Sequence, residues 1–175
     1  MSQRFIPLAL CAAAAALLAA CANTPAGPAA LAQLSPTTGN ATGGSVSFRQ
    51  SGDKVVVTGE VRGLKPGAEH GFHVHEKGDC SSGDGMSAGG HFNPTGAPHG
   101  NHGAGMHHTG DLPSLKADAA GVARFSFDSS SISVGSGATD IVGKGLIVHK
   151  DPDDYTTQPT GNAGARLACA VITRS

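Results

Sequence analysis

A chain of 175 residues is long enough for one domain with additional segments. Only 14% of its residues are charged, and the net charge of −1 arises without a run of lysines or arginines, which excludes the basic surface typical of nucleic-acid-binding proteins. Glycine is abundant, with 26 residues, and tryptophan is absent, so the composition favours short strands and many turns over long helices.

The first twenty residues have the composition of an export signal. Arg4 precedes the uncharged run FIPLALCAAAAALLAA, which is shorter than the ~18 apolar residues that a membrane span needs. The stretch LLAAC at residues 17–21 resembles the cleavage box of bacterial lipoproteins, in which the cysteine becomes the lipidated N-terminus. We therefore predict an export signal over residues 1–20 and a lipid on Cys21. Cleavage after another small residue and a structural N-terminal helix are the alternatives.

A flexible tether is predicted next, over residues 21–30, because the Pro, Gly and Ala residues of ANTPAGPAA cannot form a core. The globular domain is then expected over residues 31–175. Export also bears on the cysteines: Cys11 leaves with the signal and Cys21 is the candidate lipid site, which leaves two others. In an oxidising compartment this even number predicts a Cys80–Cys169 disulfide, with two free buried thiols as the alternative.

Strand patterns begin with a hairpin. SVSFRQ (45–50) and KVVVTGEV (54–61) alternate or are rich in β-branched residues, and the SGD between them is a turn signal. Further strands are predicted in GFHVH, GVARFSFD (121–128), GLIVHK (145–150) and ARLACAVI (165–172). No helical periodicity competes after the signal, so the sequence predicts an antiparallel sandwich or barrel.

Two histidines flank Val74 in the stretch GFHVHEKGDC. Because side chains alternate between the faces of a strand, His73 and His75 share one face, while Phe72 and Val74 share the other and can face the core. Two imidazoles on one face can bind one metal ion, although a half-exposed strand with two polar residues would show the same pattern.

The segment 77–113 has almost no strand pattern, and such long inserts in a compact domain are usually functional. It contains His91, His99, His102, His107, His108 and Asp111. Imidazole and carboxylate groups suit zinc, and imidazole also suits copper. His149 ends the apolar run GLIV and could reach the same face as His73 and His75 from a neighbouring strand.

Five stretches occur in the order found in bacterial periplasmic copper–zinc superoxide dismutases: GFHVHEKGDC, SAGGHFNPTG, HHTGDLPSL, LIVHKDPDD and GNAGARLACAVI. The chain resembles that family over about residues 31–173. The resemblance implies an all-β fold, a Greek-key antiparallel β-barrel or sandwich of the immunoglobulin-like class, with long metal-binding and active-site loops. It also implies an oxidoreductase that converts superoxide to O2 and H2O2 with one copper and one zinc ion per subunit.

The resemblance also assigns ligands to both ions. Copper would be bound by His73, His75, His91 and His149, and zinc by His91, His99, His108 and Asp111. His91 would then bridge the ions through its two ring nitrogens, and the flanking cations would favour loss of both ring protons. On the family's mechanism, this histidine releases copper on reduction and carries a proton to the second superoxide.

Two further residues match family positions. Arg166 matches the arginine beside copper that binds the anion, and a surface arginine at a strand start is the alternative. Asp153 matches an aspartate that bridges a copper histidine to a zinc histidine, although DPDD also reads as a solvated acidic turn in which Asp151 and Asp154 compete for the role. Lys77 and Lys150 are candidates for steering the substrate.

The remaining histidines are not expected to bind metal. His70 matches a structural position in the family, and His102 and His107 are extra residues that we expect to be solvated. The family spacing H-x-x-D selects His108 over the adjacent His107 as the partner of Asp111.

Three functions compete: an exported superoxide dismutase, a periplasmic copper or zinc buffer on the same fold, and a β-sandwich interaction module. Seven ligands at matching positions argue against the module, and the presence of Arg166 favours the enzyme over the buffer. The expected location is the periplasm, with a lipid anchor. Ala22 after the cysteine favours the outer membrane. Superoxide is the expected partner, without nucleic acid, and family members of this type occur both as monomers and as homodimers.

Overall fold

The computed structural model describes residues 27–175. The predicted signal, Cys21 and most of the tether therefore lie outside the described residues. The described part contains one 3-10 helix, Met86–Ala88, and ten strands: β1 Ala29–Pro36, β2 Gly43–Ser51, β3 Lys54–Arg62, β4 Glu69–His70, β5 Phe72–His75, β6 Leu115–Lys116, β7 Ala123–Ser129, β8 Gly145–His149, β9 Arg166–Val171 and β10 Thr173–Arg174. Within residues 27–175, no helix has the length and apolar character needed to cross a membrane.

Eight strands form one antiparallel sheet in the order β5-β8-β9-β1-β2-β3-β7, with β10 paired to β1, while β4 and β6 form a separate pair. Strands that are distant in sequence, such as β3 and β7, lie side by side, as in Greek-key connections. Residues from β5, at one end of this order, and from β7, at the other, share one buried core, so the sheet curls around it. The predicted all-β Greek-key class is confirmed.

The predicted hairpin is present, with β2 and β3 paired along their whole length around a turn at Gly52. Its alternating residues Val46, Phe48, Val55 and Val57 are fully buried in the core, which explains why the period-two pattern was informative. The strands predicted over residues 121–128, 145–150 and 165–172 correspond to β7, β8 and β9, and each predicted bound lies within two residues of the observed one.

Strand β1 differs from the prediction. It begins at Ala29, two residues inside the segment 21–30 assigned to the tether, so the structured domain starts at residue 29 rather than 31. Ala30 and Ala32 face the core and are buried, yet alanine has low strand propensity and gave little signal. Pairing with β2 on one side and β9 on the other places this segment in the sheet.

Strand β5 is buried on both faces. Phe72 and Val74 lie in the hydrophobic core as predicted, and His73 and His75 on the opposite face are also 0% exposed. The long loop after β5 covers that face, since the rings of His91 and His99 pack on His73 with centroid distances of 4.0 and 5.9 Å. A half-exposed strand with polar residues is therefore excluded.

The predicted Cys80–Cys169 disulfide is confirmed, with an S–S distance of 2.02 Å and a sequence separation of 89. It links the start of the long loop to β9, the strand that begins with Arg166.

Candidate metal centre

Four buried histidines form the first donor cluster, in which one ring nitrogen from each lies within 4.8 Å of the others: His73, His75, His91 and His149. Strand β5 supplies the first two from its outer face, and β8, paired with β5, ends at His149. The loop supplies His91, which forms an isolated bridge with His75. The structure thus brings together the four residues predicted to bind copper.

The tautomers of two of these rings are fixed by backbone carbonyls. His75 Nδ1 lies 2.9 Å from Gly89 O, and His149 Nδ1 lies 3.2 Å from Gly164 O, so both Nδ1 atoms carry the proton. Their Nε2 atoms then present lone pairs to each other at 3.4 Å with no donor between them. Two facing acceptors are stabilised by a cation, and orientation of a ring through its other nitrogen is typical of metal-binding histidines.

The other two rings of this cluster, His73 and His91, each have one ring nitrogen without a hydrogen-bond partner among the described residues. His73 Nδ1 and His91 Nε2 are buried and have no hydrogen-bond partner within residues 27–175. Burial lowers the pKa of His73 to about 4 and holds the pKa values of His75 and His149 well below the ordinary value. These rings are therefore neutral at neutral pH, as metal binding requires, and four imidazoles suit copper.

The second cluster contains His91, His99, His108 and Asp111, all buried, with donor atoms within 4.8 Å of one another. Asp111 Oδ1 lies 2.8 Å from His91 Nδ1, and Asp111 Oδ2 lies 3.0 Å from His99 Nδ1. Three imidazoles and one carboxylate suit a closed four-coordinate zinc site. His108, rather than His107, joins this set, as the H-x-x-D spacing predicts.

His91 is the only residue common to both clusters in the described part of the chain. Its Nδ1 faces Asp111 and His108, whereas its Nε2 is the unpaired atom on the side of the first cluster. The two nitrogens of one ring thus belong to different donor sets, in the arrangement that the resemblance implies.

Asp153 joins the two clusters from the loop after β8. Its Oδ2 lies 2.7 Å from His73 Nε2, and its Oδ1 lies 2.8 Å from His99 Nε2. Burial acts to raise the pKa of Asp153, but the hydrogen bonds with His73 and His99 outweigh burial and hold it well below the ordinary value. The ionised carboxylate therefore orients one ring of each cluster, whereas the Asp154 carboxylate accepts hydrogen bonds from Thr156 and Thr157.

Arg166 lies beside the first cluster, directly across from His149 in the β8–β9 ladder. Its guanidinium donates to Gly85 O and to Gly89 O, each at 2.6 Å. The side chain is half-buried, and its charge reinforces the effect of burial in lowering the pKa values of His75 and His149. A freely solvated surface arginine does not fit these contacts.

Two glycines were missed as site residues by sequence reasoning. Gly89, at φ 74°, presents one carbonyl to both His75 and Arg166, and a Cβ there would meet the Glu76 carboxylate. Gly161, at φ 65°, lies against Asp153 and His99, where a Cβ would overlap both side chains. Both glycines lie in stretches that carry the family resemblance, SAGGHFNPTG and GNAGAR, and this position was the sequence feature that could have identified them.

The remaining histidines lie outside both clusters. His70 is buried, and its Nδ1 donates to His149 O at 2.9 Å. His102 differs from the prediction of a solvated residue, because its ring is half-buried near Phe127 and its Nδ1 lies 3.2 Å from Asp111 O. His107 is also half-buried, and its Nδ1 donates to His108 O at 2.7 Å.

The metal-free protein is expected to lose stability as the pH falls from about 6.5 to about 4. His73 titrates at about 4 when folded and near 6.5 when unfolded, so the unfolded chain binds more protons in this window and the free energy of unfolding falls with pH. This ring alone contributes about 2 kcal/mol between pH 7 and pH 5. His75 and His149 act in the same direction.

His99 has the opposite sign. Burial acts to lower its pKa, but Asp111 and Asp153 raise it to about 9, so its contribution is present below pH 6.5 and declines as the pH rises towards 9. The contribution of His99 to the free energy of unfolding is smaller than the combined and opposite contribution of His73, His75 and His149. Urea unfolding of chelator-treated protein at pH 7 and pH 5 measures the difference, and an equal or higher midpoint at pH 5 would contradict this account.

Comparison with known proteins agrees with the geometry. The family described as copper/zinc superoxide dismutase (SODC) matches residues 42–172. A copper–zinc superoxide dismutase of Paramecium bursaria Chlorella virus 1 is 43% identical over 135 residues, which cover 74% of this chain and 71% of the relative. The crystal structure of the clock protein EA4 is similar with a TM-score of 0.75 and 41% identity, covering 83% of this chain and 93% of that one. The two donor clusters fit the two cofactors of the family, copper and zinc. The chain therefore belongs to the copper/zinc superoxide dismutase family of enzymes.

Proposed function

We propose that this protein is an exported enzyme that converts superoxide to O2 and H2O2 in the periplasm as an antioxidant defence. The observation that carries the proposal is the position of Arg166, across the ladder from His149 and beside a four-histidine cluster that shares His91 with a second cluster. A metal buffer needs the donors, but it does not need an oriented guanidinium beside them.

Copper bound by His73, His75, His91 and His149 would supply alternating one-electron oxidation and reduction of two superoxide anions, and zinc bound by the other cluster would supply fixed positive charge. The protein supplies the anion site. Arg166 donates two hydrogen bonds to backbone carbonyls, which fix its orientation, and a guanidinium carries five N–H groups, so others are available to superoxide.

His91 supplies a place for a proton. Its Nε2 is buried without a hydrogen-bond partner in the described chain, while its Nδ1 belongs to the second cluster, beside Asp111. A proton on Nε2 would lie inside the cluster that the substrate approaches. It would be one of the two protons that the second superoxide takes up, together with one electron, to leave as H2O2, and the solvent would supply the other.

Replacing Arg166 with Gln is expected to lower kcat/KM for superoxide by about 10- to 100-fold, because a charge-assisted hydrogen bond to the anion is lost. Pulse radiolysis of the metal-loaded variant measures the rate constant. Arg124→Gln, which removes the same charge from an exposed position paired with Glu60, serves as the control and should leave the rate unchanged. Equal rates for Arg166→Gln and the wild type would exclude an anchoring role.

The proposed activity is tested by loading the metal-free protein with copper and zinc, or with zinc alone. We expect dismutation only in the first case. Activity with zinc alone would contradict the redox role of copper, and protein that binds both metals without activity would support the periplasmic copper and zinc buffer instead.

We also propose that residues 1–20 are removed on export and that Cys21 carries lipid, holding the enzyme at a membrane, with the outer membrane favoured. The uncharged run before LLAAC and the tether that follows support this. Several acyl chains at one cysteine would anchor the protein firmly, whereas one chain would bind only marginally. Mass spectrometry of the mature N-terminus tests the modification, and an unmodified N-terminus at another residue would exclude it.

A further inference from the structure

The loop between β8 and β9, residues 150–165, contacts the second cluster through a residue other than Asp153. Gln158 lies in this loop, and its carboxamide pairs with the backbone of His99. Gln158 Oε1 accepts a hydrogen bond from His99 N–H at 2.9 Å, and Gln158 Nε2 donates to His99 O at 3.0 Å. The side chain therefore supplies His99 with one acceptor and one donor, as a neighbouring strand would.

The backbone of His99 depends on these two contacts. His99 lies in the long loop after β5, outside any strand or helix, and no other protein group within residues 27–175 bonds to its N–H or its C=O. The residue is only 3% exposed, so water has little access to these groups. Because buried backbone groups are almost always paired, Gln158 supplies here the partners that regular structure supplies elsewhere.

Gln158 is carried by an ordered turn. Asp154 Oδ1 accepts hydrogen bonds from the N–H groups of Thr156 and Thr157 at 3.0 and 2.7 Å, and Gly161 N–H donates to Thr157 O at 2.7 Å. Bonds from an aspartate side chain to the backbone two and three residues later fix a loop without regular structure. The carboxamide is thus directed at His99 by the conformation of its own loop.

The same loop also restrains the ring of His99. His99 Nε2 lies 2.8 Å from Asp153 Oδ1, and His99 Nδ1 lies 3.0 Å from Asp111 Oδ2 in the second cluster. A contact with the ring alone leaves the backbone of a ligand free to shift, whereas contacts with both ring and backbone fix the position of the donor atom. Such supporting contacts determine how well a ligand set fits its metal.

We propose that Gln158 is a positioning residue for the zinc ligand His99, which it holds in the second cluster by its backbone. The proposal requires zinc in that cluster, which the donor set fits, and it does not require dismutation. Gln158 touches neither the metal donors nor the substrate anchor Arg166, so its effect reaches the site only through His99.

Gln158→Met keeps the length of the side chain and removes both contacts with His99, and the core is not disturbed because Gln158 is exposed. We expect the affinity for zinc to fall about tenfold, the lower end of the loss typical of residues that orient metal ligands. Competition with a chromophoric chelator measures this affinity in protein that holds Cu(I) in the first cluster. Co2+ in place of zinc reports the ligand geometry, because Cu(I) has a filled d shell, and its visible absorption spectrum should change.

Gln50→Met is the matched control. The Gln50 carboxamide also bonds with backbone groups, those of Gly52, Lys54 and Val134, but it lies in the β2–β3 hairpin outside both clusters. This variant should leave the zinc affinity and the Co2+ spectrum unchanged. Wild-type zinc affinity in Gln158→Met, an equal loss in Gln50→Met, or a weaker affinity with an unaltered Co2+ spectrum would each overturn the proposal. None of these readouts uses dismutation, so the proposed function is tested separately.

Discussion

Replacing His91 with Gln is expected to lower dismutation by the metal-loaded protein by at least about 100-fold. Loss of a group that only orients a ligand typically costs 10- to 100-fold in metal affinity or activity, and His91 supplies a donor atom to each of two clusters. Glutamine is uncharged and polar, but it cannot present two opposed nitrogen donors to two ions.

The metal content of the same variant distinguishes the physical cause. We expect bound copper and zinc per chain to fall when measured by elemental analysis after dialysis, and the Cu(II) electron paramagnetic resonance spectrum to change. His107→Gln is the matched control, since it is the same substitution in the same loop but outside both clusters. Full activity and a native spectrum in His91→Gln would show that the shared ring is dispensable.

Replacing Cys80 and Cys169 with Ser should lower the free energy of unfolding by about 2–5 kcal/mol. The bridge joins cysteines separated by 89 positions in the sequence, and removing it enlarges the conformational freedom of the unfolded chain. Denaturant unfolding with and without reductant measures the effect. Reductant should bring the wild type to the level of the variant and leave the variant unchanged.

Activity should fall in the same disulfide variant. The loop fixed by Cys80 carries Gly85 O and Gly89 O, the two acceptors of Arg166. Once the loop is released from β9, the guanidinium loses its fixed orientation. Unaltered kcat/KM in fully folded, metal-loaded variant would show that the backbone contacts alone hold the loop.

Strand periodicity predicted much of the framework. Alternation placed Phe72 and Val74 in the core and His73 and His75 on the other face, because that period is a local property of the backbone. The hairpin β2–β3 followed from its turn and β-branched residues. Strand β1 did not, since alanine has low strand propensity and the place of β1 in the sheet depends on pairing with β2 and with β9, which is distant in sequence.

The site was predictable only in part. The spacing of the histidines indicates metal, but the division into two donor sets that share His91 came from a family resemblance, because no local rule relates residues 73, 91 and 149. The acceptors that fix the ring tautomers, Gly89 O and Gly164 O, are backbone atoms brought in by loops. The half-burial of His102 likewise depends on Phe127 from β7.

The carbonyl of Gly89 accepts hydrogen bonds from His75 and from Arg166. A small rotation of this one peptide plane would therefore change the orientation of the His75 ring and of the Arg166 guanidinium together. Directed evolution that selects for anion affinity alone should therefore also alter metal binding, because both properties depend on the same carbonyl group.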